Sequence, residues 1–108
     1  MIVIVFRYLL PKRFRGLTLF PFIILVNEKD RGDAVLLNHE KIHIRQQLEM
    51  LVLPFFIWYG IEYLILLLKY KDRFLAYRNI SFEREAYTNE KDLDYLKKRS
   101  FCRFLIYI

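Results

Sequence analysis

The sequence predicts a small, mostly helical α+β domain, with short N-terminal β-strands followed by a histidine-bearing helix, an apolar helix and a glutamate-bearing helix. Three observations lead there. A chain of 108 residues suffices for one modest core and not two, so residues 1–108 form a single domain. The first quarter is rich in β-branched and aromatic residues punctuated by prolines. From Ala34 onward the apolar spacing is helical, interrupted by Pro54 and by residues suited to helix caps.

Residues 2–10 are β-branched and aromatic and end at Pro11, which reads as a strand; a short buried helix is the alternative. Residues 12–16 form a basic turn. Residues 18–26 (TLFPFIILV) are the second strand, and Pro21, which cannot donate to a ladder, places its start at a sheet edge. A polar loop over 27–32 leads to Asp33, positioned to cap the helix that begins at Ala34. That helix runs to about Leu53 and breaks or kinks at Pro54. A second, apolar helix covers 55–70, and a partly helical connection covers 71–80. Ser81 then caps a last helix from Phe82 to about Lys98, with Glu83 and Glu85 in its first turn where the dipole favours them. Residues 101–108 are an apolar tail, either a strand or a helical extension.

The net charge is +6, and the excess is clustered at residues 12–15, 69–73 and 97–99. Each cluster borders an apolar stretch, a pairing that suits a membrane surface better than nucleic acid, although solvated faces of a soluble protein fit the clusters equally. Cys102 is the single cysteine, so no internal disulfide forms and nothing signals an oxidising compartment. The first ten residues lack a basic leader and a small-residue cleavage site, so no secretory signal peptide is expected; the expected location is cytoplasmic or on the cytoplasmic membrane. Residues 51–68 would span about 27 Å as a helix, close to the hydrocarbon thickness of a bilayer. Pro54, Gly60 and a central Glu62 weigh against spanning. Three placements stay open: a spanning helix, a helix in the domain core, and a helix lying on a membrane.

Residues 39–43 read HEKIH, a match to the HExxH pattern. Four residues apart on a helix, His39 and His43 present both imidazoles on one side, with Glu40 beside them. These are the only histidines. Two histidines and seven glutamates scattered at random over this length would produce the pattern in roughly one chain in a thousand. Two imidazoles and a neighbouring carboxylate are what a catalytic Zn2+ requires, the carboxylate serving as base toward the bound water. A third protein ligand is then needed and must be a carboxylate. Glu83 is the first choice, because Ala86 one turn along lets its helix approach closely, while Glu85 lies about 200° round and faces away. Glu62 is the rival, since a buried acid in an apolar helix must have a partner; Glu49, Glu90 or an aspartate complete the candidates.

His39-Glu40-Lys41-Ile42-His43 followed by Glu83-Arg84-Glu85-Ala86 resembles the gluzincin metallopeptidases, in particular the branch of CAAX prenyl proteases and heat-shock-type membrane proteases, in which HExxH is followed by ExxAD. The chain is also similar to short bacterial proteins with an HExxH motif. The resemblance covers about residues 26–90 and implies a zincin-like fold, a bound zinc, His39, His43 and Glu83 as its ligands, and Glu40 as general base. Tyr87 stands where the motif has its aspartate, the group that orients a ligand histidine, and Glu90 further along the helix is the available substitute. The implied function is a zinc-dependent peptidase acting on a peptide or protein substrate. Such a substrate, in extended form, would pair with the edge of residues 23–26, while Tyr77, Tyr87 or Arg78 steadies the oxyanion. The alternatives are a metal-binding, proteolytically inactive module that binds a membrane or a partner, and a structural protein carrying a chance motif.

Overall fold

The N-terminal third folds as a three-stranded sheet in the order β1-β3-β2, formed by β1 (Ile2–Val5), β2 (Gly16–Leu19) and β3 (Phe22–Leu25). The computed structural model of the protein describes residues 2–6 and 15–108, so the end of the first expected strand and most of the expected basic turn lie outside the described residues. The expected single strand over 18–26 is in fact two. The chain turns at Phe20 and Pro21, joined by a cis peptide bond, and β2 and β3 pair antiparallel on either side of it. Proline is accommodated because it sits in the turn, outside the ladder. A second correction follows: residues 23–26 are not an edge. β3 is central, paired parallel to β1 and antiparallel to β2, so the open edge near the helices is that of β2.

A 3₁₀ turn (Glu28–Gly32) leads to α1 (Ala34–Met50). Asp33 caps α1 as expected, accepting the Leu36 N–H at 3.1 Å. The helix ends earlier than the sequence suggested: Leu51 takes a positive φ of 61° and breaks the chain three residues before Pro54. α2 (Val52–Tyr70) begins at once, with Pro54 in its first turn, where the missing N–H has no helical partner to lose. α3 (Arg73–Arg78) is capped by Asp72 through the Leu75 N–H. The expected last helix is divided into α4 (Ser81–Asn89) and α5 (Tyr95–Lys98), and the tail forms a 3₁₀ helix (Arg103–Tyr107).

Ser81 does not cap α4; it is the first residue of the helix. The Glu62 carboxylate arrives from α2 to accept both the Ser81 N–H at 3.0 Å and the Ser81 hydroxyl. It also accepts the Trp58 indole N–H at 2.7 Å. Glu62 is therefore a cap donated by a neighbouring helix, which settles the partner that a buried acid demands.

Phe55, Ile80, Phe82 and Phe104 form one buried cluster between α2, α4 and the tail, and Ile23, Leu25 and Leu36 form another between sheet and α1. Between these clusters the inner face of α1 is polar. Asn38, His39, Glu40, His43, Gln46 and Gln47 are all buried. A helix that turns six polar side chains into its own domain loses stability unless each finds a partner, and this requirement organises the site.

Candidate metal centre

α1 and α4 pack so that His39 and His43 face Glu83. Ala86, fully buried one turn from Glu83, packs with Ile42 of α1 and permits the approach. The His39 and His43 Nε2 atoms are 3.2 Å apart, and Glu83 Oε1 lies 3.3 Å from the first and 3.1 Å from the second. Ligand bonds of about 2.0–2.2 Å in tetrahedral array separate their donors by about 3.3–3.6 Å. The three atoms thus lie near one triangular face of such a tetrahedron. The residues fit a metal ion with three protein ligands and a fourth position left to water or substrate. Glu83 Oε1 is the third atom of that triangle. Glu62 is committed to Ser81 and Trp58, and Glu49 to Arg99 at 2.6 Å.

The groups behind the donors decide whether those donors stay in place. His43 Nδ1 is 2.7 Å from Gln46 Oε1, and the Gln46 amide donates to Glu85 Oε1 at 2.9 Å and to the Phe82 carbonyl at 3.1 Å. Glu85 is gripped in turn by Arg99 and by the Tyr95 hydroxyl. With Nδ1–H donating to Gln46, the His43 tautomer that bares Nε2 is the one selected. His39 Nδ1 is buried and lies 3.2 Å from Glu90 Oε2 without an aligned hydrogen bond. Glu90 thus stands beside His39 without fixing its ring, while Tyr87 sets its ring edge-on to His39 at 4.4 Å. The other oxygen of Glu83 accepts the Tyr59 hydroxyl at 2.8 Å.

Tyr59 and Gln46 were not singled out from the sequence. Gln46 had a readable signal, since it stands three residues after His43 on the same helical face. Tyr59 had none, because its contact with Glu83 crosses between helices.

The charges are arranged as a coupled pair. Burial alone would lower His43, but the Glu83 carboxylate, Glu40 and Gln46 outweigh it and raise it to about 9. Burial would likewise raise Glu83, yet His43 and His39 hold it well below the usual carboxylate range. In the metal-free protein His43 therefore carries a proton below about pH 9, and that proton must leave before Nε2 can coordinate. The expected result is a metal affinity that falls roughly tenfold per pH unit as pH drops below about 9 and levels off above it. Competition with a chromophoric chelator between pH 6 and 9.5, with zinc as the probe, measures it; a flat profile would remove this role for the His43–Glu83 pair.

Glu40 is not among the three donors, and its carboxylate meets β2. The Thr18 hydroxyl donates to its carboxylate, and Gly16 lies so close that an added Cβ would meet Glu40 Oε1 at 3.3 Å. Arg15 faces β3 by accepting the Val26 N–H, so the alternation of an antiparallel ladder turns the N–H and C=O of Gly16 and the N–H of Thr18 to the open edge. No strand pairs with that edge among the described residues. Further along it, the Gln47 carboxamide donates to the Thr18 carbonyl and accepts the Phe20 N–H. A cleft of about 310 Å³ opens here, bounded by Gly16, His39, Glu40, Phe74, Tyr77, Tyr87 and Glu90. The Tyr77 and Tyr87 hydroxyls meet at 2.9 Å in its wall, and Arg78 lies over the Tyr87 ring, 3.6 Å from its centre.

Comparison of the chain with protein-family models, with curated proteins and with solved structures finds no match. What this centre does rests on its geometry.

Proposed function

We propose that the protein is a small zinc-dependent peptidase. The observation that carries this reading is the convergence of His39, His43 and Glu83 on one point, with a separate carboxylate, Glu40, beside an open strand edge. Two imidazoles and one carboxylate are a donor set that suits zinc, which when bound supplies a Lewis acid and makes a neighbouring water easier to deprotonate. The chain's own residues do the rest. Glu40, steadied by Thr18, takes a proton from the attacking water and returns it to the departing amine. The open groups of Gly16 and Thr18 hold an extended substrate backbone beside Glu40, which moves the substrate edge from residues 23–26 to β2. The Tyr77 and Tyr87 hydroxyls, both in the cleft wall, are the donors offered to a carbonyl oxygen as it develops charge. Arg78 faces the Tyr87 ring and positions it.

Zinc content and hydrolysis of an unfolded protein test the reading together. The purified chain is expected to hold one zinc per molecule and to cleave casein. Glu83→Ala is expected to lose the zinc, whereas Glu62→Ala keeps it and loses stability by about 1–3 kcal/mol through the uncapped start of α4. Zinc retained by Glu83→Ala would overturn the ligand assignment. A zinc-loaded chain inert toward casein would favour the second reading, a metal-binding module without proteolysis.

A further inference from the structure

α2 is turned inside out for a protein surrounded by water. Leu53, Ile57, Ile61, Leu64, Ile65 and Leu68 recur at helical spacing along its outer face, and each is more than half exposed. Two polar groups in the middle of the same helix face inward: Glu62 caps α4, and the Tyr59 hydroxyl reaches Glu83. An aliphatic stripe along a 19-residue helix, about 28 Å in length, is larger than the scattered apolar residues of an ordinary soluble surface. The stripe also continues beyond the helix, because Ile108 lies across an apolar groove from Ile57 and Ile61.

Charge identifies what covers it. Lys69, Lys71 and Arg73 are exposed at the C-terminal end of the stripe and have no ion-pair partner among the described residues. The one acid of α2 is turned away from the face. A second copy of this chain would bring another rim of net positive charge, with Asp72 its one acid, whereas an anionic lipid surface supplies both the apolar layer and a fully complementary charge. Orientation follows from packing. α2 packs against α1 and α3 and is tied at its middle to α4. It could not cross a bilayer without carrying the charged residues of those helices into hydrocarbon. We infer that α2 lies flat in the interface of an anionic membrane, its aliphatic stripe at the acyl boundary and Lys69, Lys71 and Arg73 among the headgroups.

The metal is not involved, so the test is independent of the proposed peptidase activity. The full chain is sedimented with phosphatidylcholine vesicles containing about 30% phosphatidylglycerol and with phosphatidylcholine alone. It is expected to pellet with the anionic vesicles and to be released by high salt. Quenching of Trp58, the single tryptophan and a wall of the groove, by brominated acyl chains should accompany binding. Ile61→Asn with Leu64→Asn, made in exposed positions, should cut partitioning roughly tenfold or more with helicity unchanged. Should that variant fail to fold, Lys69→Gln with Lys71→Gln at the rim should weaken anionic binding several-fold and flatten its salt dependence. A chain left in the supernatant overturns the inference, as does undiminished binding by the stripe variant. A solution dimer dissolved by the stripe substitutions would assign the face to a second copy, and a chain released from vesicles only by detergent would replace the flat orientation by a span.

Discussion

Glu40→Gln is expected to keep one zinc per chain and to slow casein hydrolysis by about 10²–10⁴-fold, the usual worth of a positioned general base. The side chain is buried, close to the metal donors but not among them, and takes the Thr18 hydroxyl as its hydrogen-bond donor. Glutamine has the same shape, and its amide oxygen can still accept from Thr18, so the space against Gly16 stays filled. What it lacks is a site for the proton. Zinc content by elemental analysis and initial rates at saturating zinc separate the two roles. Loss of zinc together with activity would make Glu40 a ligand or a structural group and defeat its assignment as base.

The second large effect is on stability. Arg99→Met is expected to destabilise the fold by about 3–5 kcal/mol, a large share of the roughly 5–15 kcal/mol that holds a domain together. The Arg99 side chain is completely buried and joins Glu85 to Glu49, whose side chain is also buried. Removing the cation leaves two carboxylates in a low-dielectric site with too few donors, and that loss exceeds what a well-packed methionine restores. Burial alone would raise Glu85, but hydrogen bonds from Arg99, Tyr95 and Gln46 bring it below its ordinary value. A carboxyl lowered by folding stabilises above its unfolded pKa of about 4.3, and that contribution drains away as pH falls through the lowered folded value. Urea titrations at pH 7 and at pH 3 should therefore show the wild-type advantage over Arg99→Met shrinking in acid. An equal gap at both values would mean that the loss comes from packing and not from charge. Because Glu85 also fixes Gln46, the variant should bind zinc more weakly even where it remains folded.

How far the sequence discloses this centre depends on the range of the interactions. His39 and His43 are neighbours on one helix, so spacing alone places them. Glu83 was reached by elimination and by the small Ala86 beside it, both visible without a structure. Asp33 was legible because a cap acts on the next turn of its own helix. Contacts between elements were not. Periodicity reports which way a side chain points and is silent on what stands opposite, so the Gln46–Glu85–Arg99 chain, Tyr59 on Glu83 and Glu62 on Ser81 emerge only from packing. The division of residues 18–26 into two strands is hidden for a related reason. Its apolar run continues through Pro21 without a polar break, so composition conceals a turn that backbone geometry makes. The sequence points to Pro54 and not to Leu51 because proline marks where a helix cannot continue inward, not where the preceding one must stop.

The carboxamide of Gln47 has a consequence for how this protein behaves at high concentration. An unpaired strand is a template on which strands of other molecules can add, the first step of sheet growth between chains. On β2, Gln47 already occupies the carbonyl of Thr18 and the N–H of Phe20, as a neighbouring peptide would, but a side chain offers no further groups to an incoming strand. Only the short stretch at Gly16 and Thr18 is left to pair. An intermolecular ladder started there would have to displace a buried glutamine to lengthen. The edge is open for a few hydrogen bonds and closed to a continuous one, which limits sheet growth from β2 while leaving the cleft accessible.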